Sequence, residues 1–214
     1  MNKKKVAALL VAGVLAVGAI GGSFAWFTSS DTKTNNFETA GKADPDDPNG
    51  ADAGVKVDEI FGGDKDTNTV GGVLPGVEVN KDVRVQSTAT YDQYIRVKFE
   101  KSFENEKLDD NLIHLNFKSD AFGENGTWVD GGDGYYYYKV IVKPQNDTDD
   151  KDVTTYLLDS VTLASTAGNE YKNAKYSVNV IAEGIQATPE AVKEAWKMDV
   201  DTWTKITQTD TTLQ

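Results

Sequence analysis

Val77-Glu78-Val79-Asn80-Lys81-Asp82-Val83-Arg84-Val85 decides the fold class. Val77, Val79, Val83 and Val85 share one parity, and Glu78, Asn80, Asp82 and Arg84 share the other. A period of two places one face on a core and the other in water, the mark of a half-buried strand. The same pattern recurs downstream. Ile95, Val97 and Phe99 alternate with Tyr94, Arg96, Lys98 and Glu100, and Ile113, Leu115 and Phe117 alternate with His114, Asn116 and Lys118. Further strands are expected from Tyr156 to Leu163 and from Tyr176 to Ile181. Trp128-Val129-Asp130-Gly131-Gly132-Asp133-Gly134-Tyr135 reads as a hairpin, because Gly and Asp supply the positive-φ positions a tight reversal needs. Its return strand, Tyr135 to Val142, is aromatic or β-branched on both parities.

One helix is expected. Thr188-Pro189-Glu190 places an N-cap hydroxyl, a proline at the first helical position and an acid in the first turn, with Val192 and Trp196 four apart behind them. Short strands, Gly/Asp turns and one short helix predict an all-β protein. The expected architecture is an antiparallel β-sandwich, jelly-roll or immunoglobulin-like, with one short C-terminal helix.

The N-terminus has a different composition. Met1-Asn2-Lys3-Lys4-Lys5 precedes an apolar run from Val6 to Ile20 and a small-residue exit, Gly21-Gly22-Ser23-Phe24-Ala25. Ser23 and Ala25 occupy the −3 and −1 positions of a secretory cleavage site, which makes Trp26 the first mature residue. The alternative is an uncleaved membrane anchor, since Val6 to Phe27 is long enough to span a bilayer. The chain has 214 residues and a net charge of −12; removing residues 1–25 takes three lysines and no acids, so the mature net is −15. That charge repels nucleic acid, whose recognition needs a concentrated basic surface.

Chemistry-bearing residues are sparse. There is no cysteine and only one histidine, which removes thiolate nucleophiles, Cys-ligated metals and two-histidine sites. His114 lies on the polar parity of its strand and is expected to be exposed and inert, so no catalytic residue is assigned. Asp64-Lys65-Asp66-Thr67-Asn68 opens like an EF-hand loop, but Thr69 stands where glycine is required and Pro75 where the closing Glu belongs. No cofactor is expected beyond weak Ca²⁺ at acidic loops (Asp44, Asp46 and Asp47, or Asp147, Asp149, Asp150 and Asp152). Tyr135-Tyr136-Tyr137-Tyr138 and Trp128 suggest a sugar-stacking platform, although a strand offers each face only two of the four tyrosines.

The chain divides into a signal peptide (1–25), an N-terminal donor or edge strand (26–39), an acidic Pro/Gly-rich linker or insert (40–72), a sandwich core (73–187), and a short helix with a polar tail (188–214). The thirty residues from Ala40 to Thr69 span roughly 100 Å if fully stretched.

The order of several motifs resembles a known family. Ala25-Trp26-Phe27-Thr28-Ser29-Ser30-Asp31 with Asn36-Phe37, then Leu74-Pro75-Gly76, Tyr94-Ile95-Arg96-Val97, Trp128 with the tyrosine run, and Ala182-Glu183-Gly184-Ile185-Gln186-Ala187 are similar to the TasA and camelysin family of exported proteins, which are cleaved by a SipW-type signal peptidase. The resemblance implies a secreted jelly-roll subunit of extracellular biofilm-matrix fibres. It also implies that the mature N-terminal segment adds as a strand to the neighbouring subunit, giving a head-to-tail homopolymer. Trp26, Phe27 and Phe37 are then the expected inter-subunit anchors, because buried aromatics dominate interface energetics. Other matrix or cell-surface components are further expected partners. Camelysin-like relatives carry a metallopeptidase label, which one histidine and no motif do not support here. A monomeric surface adhesin or carbohydrate-binding module is the competing reading.

Overall fold

The computed structural model describes residues 28–37, 54–62, 69–70, 73–145 and 150–206. In chain order the strands are β1 (Thr28–Phe37), β2 (Val55–Phe61), β3 (Thr69–Val70), β4 (Glu78–Ser87), β5 (Gln93–Phe103), β6 (Ile113–Phe117), β7 (Trp128–Asp130), β8 (Tyr135–Tyr138), β9 (Leu158–Leu163) and β10 (Tyr176–Gln186). Helix α1 (Pro189–Ala195) and a short pair, β11 (Met198–Asp199) and β12 (Thr204–Lys205), follow.

Six strands form one sheet in the order β3-β1-β10-β5-β8-β7, and four form a second in the order β2-β4-β9-β6. Every pairing is antiparallel except the two-residue contact of β3 with β1. The chain is an antiparallel all-β sandwich with one short helix. Through much of the chain the path crosses between the two sheets, from β1 to β2 to β3 to β4 to β5 to β6 to β7, and this alternation is the wrapped connectivity of a jelly roll.

The inward parities supply the core. Val79, Val83 and Val85 of β4, Ile95 and Val97 of β5, Leu158 and Val161 of β9, and Val178, Val180 and Ala182 of β10 are all buried. Val77, by contrast, precedes the strand and is 49% exposed. Its place in the parity pattern belongs to a turn, since the Val77 amide donates to Leu74 O across Pro75-Gly76. The expected hairpin is present, with Gly132 and Gly134 at positive φ, and β8 ends at Tyr138 rather than Val142.

Two boundaries differ from expectation. The linker or insert placed over 40–72 contains β2, which pairs with β4 from Val55↔Ser87 to Phe61↔Lys81 and buries Val55, Val57 and Phe61. The apolar alternation there is interrupted by an acid, Glu59, on the inward side. The segment after 187 is also more than a helix and a tail. Thr188 caps α1 through its hydroxyl, which accepts from the Ala191 amide at 3.2 Å. The β11–β12 pair then folds back beside it, and the Ile206 amide donates to Lys197 O. Residues 207–214, expected to be a polar tail, lie outside the described residues.

Candidate functional site

The edge of the larger sheet beyond β5 is built from β10 and β1. All ten residues of β1 pair with β10 without a register break, from Thr28↔Ile185 to Phe37↔Tyr176. The two strands differ sharply in composition. β10 buries Tyr176, Val178, Val180, Ala182 and Ile185. β1 reads Thr-Ser-Ser-Asp-Thr-Lys-Thr-Asn-Asn-Phe, with Phe37 its single apolar residue. β1 therefore offers main-chain hydrogen bonds, each worth about 0.5–1.5 kcal/mol net, and a single apolar side chain. Without it, β10 would offer an open row of backbone groups, a template for another strand.

The anchor residues divide. Phe37 is placed by register opposite Tyr176. Tyr176 itself packs against Phe103, 5.5 Å between ring centres, and Phe103 packs against Tyr171 at 5.4 Å. Burial pushes the Tyr176 hydroxyl pKa well above its usual value. Trp26 and Phe27, like Ser23 and Ala25 of the expected cleavage site, lie outside the described residues.

The opposite flank of β10 is held rigid by Arg96. Arg96 sits across from Glu183 in the β5–β10 register, and its Nε and Nη2 donate to Glu183 Oε2 at 2.8 and 2.6 Å. The guanidinium stacks 3.9 Å from the Tyr135 ring centre and 4.8 Å from that of Trp196. The Tyr135 hydroxyl donates to Glu183 Oε1 at 3.0 Å, so both carboxylate oxygens are engaged. Such an arrangement of planar cation, aromatic faces and saturated carboxylate is a brace.

The brace lies under a second, smaller core on the outer face of this sheet, where Tyr137, Ile185, Val192, Trp196 and Met198 pack together beneath α1 and β11. The Tyr137 hydroxyl donates to Asp133 Oδ2 at 2.8 Å, and Lys205 Nζ reaches the same oxygen at 2.6 Å. Burial works against the Asp133 carboxylate, but these two contacts and the Tyr135 amide outweigh it and hold its pKa below the ordinary value. Burial, then the bond to Asp133, push the Tyr137 pKa strongly upward.

The tyrosine run is thus spent on packing. Tyr136 and Tyr138 face the main core, Tyr135 and Tyr137 face the second one, and Trp128 is buried beside Tyr138 with its Nε1 donating to Thr155 Oγ1 at 3.2 Å. Of the aromatics that motivate an adhesive or sugar-binding reading, Trp128, Tyr137 and Tyr138 are buried, and Tyr135 and Tyr136 are half-buried.

His114 is exposed on β6. Among the described residues no three His, Asp or Glu side chains are grouped to hold a metal ion, and no helix is long and apolar enough to cross a membrane. Asp44, Asp46, Asp47, the Asp64–Asn68 loop, Asp147 and Asp149 fall outside the described residues, while Asp150 and Asp152 fall within them.

Glu59 and Lys81 are absent from the expected site. Lys81 Nζ donates to Glu59 Oε2 at 2.8 Å, both side chains are 0% exposed, and the ammonium lies 5.3 Å from the Phe61 ring centre. The sequence signal for this pair is a lysine on the valine parity of β4 and a glutamate on the apolar parity of β2.

No family model, curated protein or solved structure matches the chain.

Proposed function

We propose that the protein is an exported structural subunit of extracellular fibres, in which the mature N-terminal strand of one copy pairs with β10 of the next. The observation that carries this reading is the mismatch between β1 and its seat. A ten-residue, almost wholly polar strand runs in unbroken register along the apolar, braced β10. Such a strand is exchangeable. Its main-chain bonds are the same whether it comes from its own chain or a neighbour's. Donation from one copy to the next is head-to-tail and propagates as an open filament unless its geometry closes a ring.

The partner is therefore a second copy of this chain, and the role is architectural rather than catalytic. Secretion follows from the basic, apolar and small-residue sequence of 1–25. Sealing of β10 by the chain's own β1 competes with exchange, because a tethered strand has a high effective concentration. Light scattering of the mature chain at rising concentration is the test. Growth into filaments after a lag is expected; a monomer that persists at every concentration contradicts the proposal.

A further inference from the structure

Among the described residues the exposed large apolar side chains are Leu74, Val77, Val140 and Ile141, between 38% and 64% exposed. Single exposed apolar residues are ordinary, but these four fall in two pairs at opposite ends of the sandwich. Leu74 and Val77 bound the turn before β4, where the Gly76 amide donates to Leu163 O at 2.7 Å. Leu163 pairs with Ile113 at the start of β6, and just before it Asp110 Oδ1 accepts from the Phe103 amide at 2.9 Å. Phe103 pairs with Tyr176, so the Leu74 pair shares an end with the start of β10. Val140 and Ile141 lie between β8 and Val142, which exchanges two main-chain bonds of 2.9 Å with Gln93 at the start of β5. Gln93 pairs with Gln186, and its Nε2 donates to Gly54 O and Ser87 Oγ, each at 2.8 Å. That end therefore holds the finish of β10 and the start of β2. The rims differ in charge, with an exposed Glu78 beside Val77 and Lys139 beside Val140.

We propose that these two apolar pairs are the halves of one end-to-end interface between copies of this chain, with Leu74 and Val77 of one copy seated on Val140 and Ile141 of the next. The direction of β1 selects this partner, and in that the inference rests on the proposed strand donation. Phe37, the last residue of β1, pairs with Tyr176 at the Leu74 end, whereas Val55, where β2 begins, pairs with Ser87 at the Ile141 end. A strand given to a neighbour thus ties the Leu74 end of the acceptor to the Ile141 end of the donor. The seventeen residues between the two strands span at most roughly 60 Å, and abutting those ends asks least of them. Opposite charges at Glu78 and Lys139 suit the same pairing. Two different patches that fit each other repeat head-to-tail without closing on a dimer. One patch belongs to the smaller sheet and the other to the larger, so the step between copies includes a rotation. Size sets the role of this contact. Four side chains fall far short of the roughly 800 Å² per partner of a stable interface, so the ends do not hold copies together unaided. They act once a donated strand raises the effective concentration of one end beside the other.

The test uses the full mature chain and three variants: Leu74→Lys with Val77→Lys, Val140→Asp with Ile141→Asp, and all four changes together. Light scattering gives the critical concentration for filament growth, and the melting temperature reports the fold. Each two-residue variant is expected to melt like the unaltered chain and to need about tenfold or more protein to grow, the loss that follows removal of an interface anchor. The chain with all four changes is expected to recover most of that loss, because lysines on one end then meet aspartates on the next copy. Net charge does not produce this pattern, since the first variant is less acidic than the unaltered chain and the second more so. Two-residue variants that grow like the unaltered chain overturn the interface and leave strand donation standing. Failure of the four-residue variant to recover overturns the pairing of these two ends, and a lowered melting temperature overturns it because the residues then hold the fold. A mature chain that forms no filaments counts against strand donation itself, and the end-to-end contact falls with it.

Discussion

Deletion of residues 26–39 is expected to yield a soluble, β-rich monomer that does not polymerise. Among the described residues the main core draws its buried members from β2, β4, β5, β6, β9 and β10 together with β7, β8 and the loops between them, and this set remains in the truncated chain. What is lost is the strand that seals β10. The tether supports this outcome once its length is corrected. β2 begins at Val55, so the stretch between the two strands is 38–54, seventeen residues rather than thirty, with a fully extended reach of roughly 60 Å. In the intramolecular arrangement that tether has to return from the Tyr176 end of β10 to the Gln186 end, about 33 Å by the rise of ten residues. A synthetic peptide of residues 26–39, added to the mature chain, is expected to cap growing ends. Filaments formed by the truncated chain as readily as by the mature one would exclude strand donation.

Lys81→Met is expected to destabilise the fold by about 3–5 kcal/mol, measured by denaturant unfolding, because it removes the ammonium that donates to the buried Glu59 carboxylate. Lys81→Met combined with Glu59→Leu recovers most of that loss or exceeds the unaltered chain, since two apolar side chains of similar size need no desolvation. The two results separate the cost of breaking the ion pair from the cost of replacing it. Equal stability of the single and double variants would mean that Glu59 is satisfied without Lys81.

Parity made much of this fold legible. β5 and β6 were readable because their inward positions are apolar over several alternations, β4 because four valines mark its parity despite the inward Lys81, and α1 because Thr188 and Pro189 mark its start. β2 was not, because Glu59 breaks its apolar run and Gly- and Asp-rich stretches flank it. The partner that makes an inward glutamate tolerable is twenty-two residues away, on β4. The β11–β12 pair left no turn signal either. Its left-handed positions are Lys197 and Trp203, with φ of 55° and 53°, where a glycine or asparagine would have marked the reversal. Without that pair, the second core was invisible, and two of the tyrosines in the run had no evident place to go. The candidate edge was half legible. Extended, polar character is plain from Thr28 to Phe37, but a polar strand carries no hydrophobic pattern to name its partner or its register.

The absence of cysteine makes strand exchange directly measurable. Thr32 and Ile181 face each other in the β1–β10 register. One batch of mature chain carries Thr32→Cys alone and a second carries Ile181→Cys alone; the two are mixed, allowed to form filaments and oxidised with a mild disulfide-forming reagent. Strand donation predicts covalent pairs containing one chain of each kind, formed in filaments and absent from the dilute monomer. Filaments that yield no such pairs, while a chain carrying both cysteines closes on itself within them, would show that β1 stays on its own domain and that the fibre is built from other surfaces.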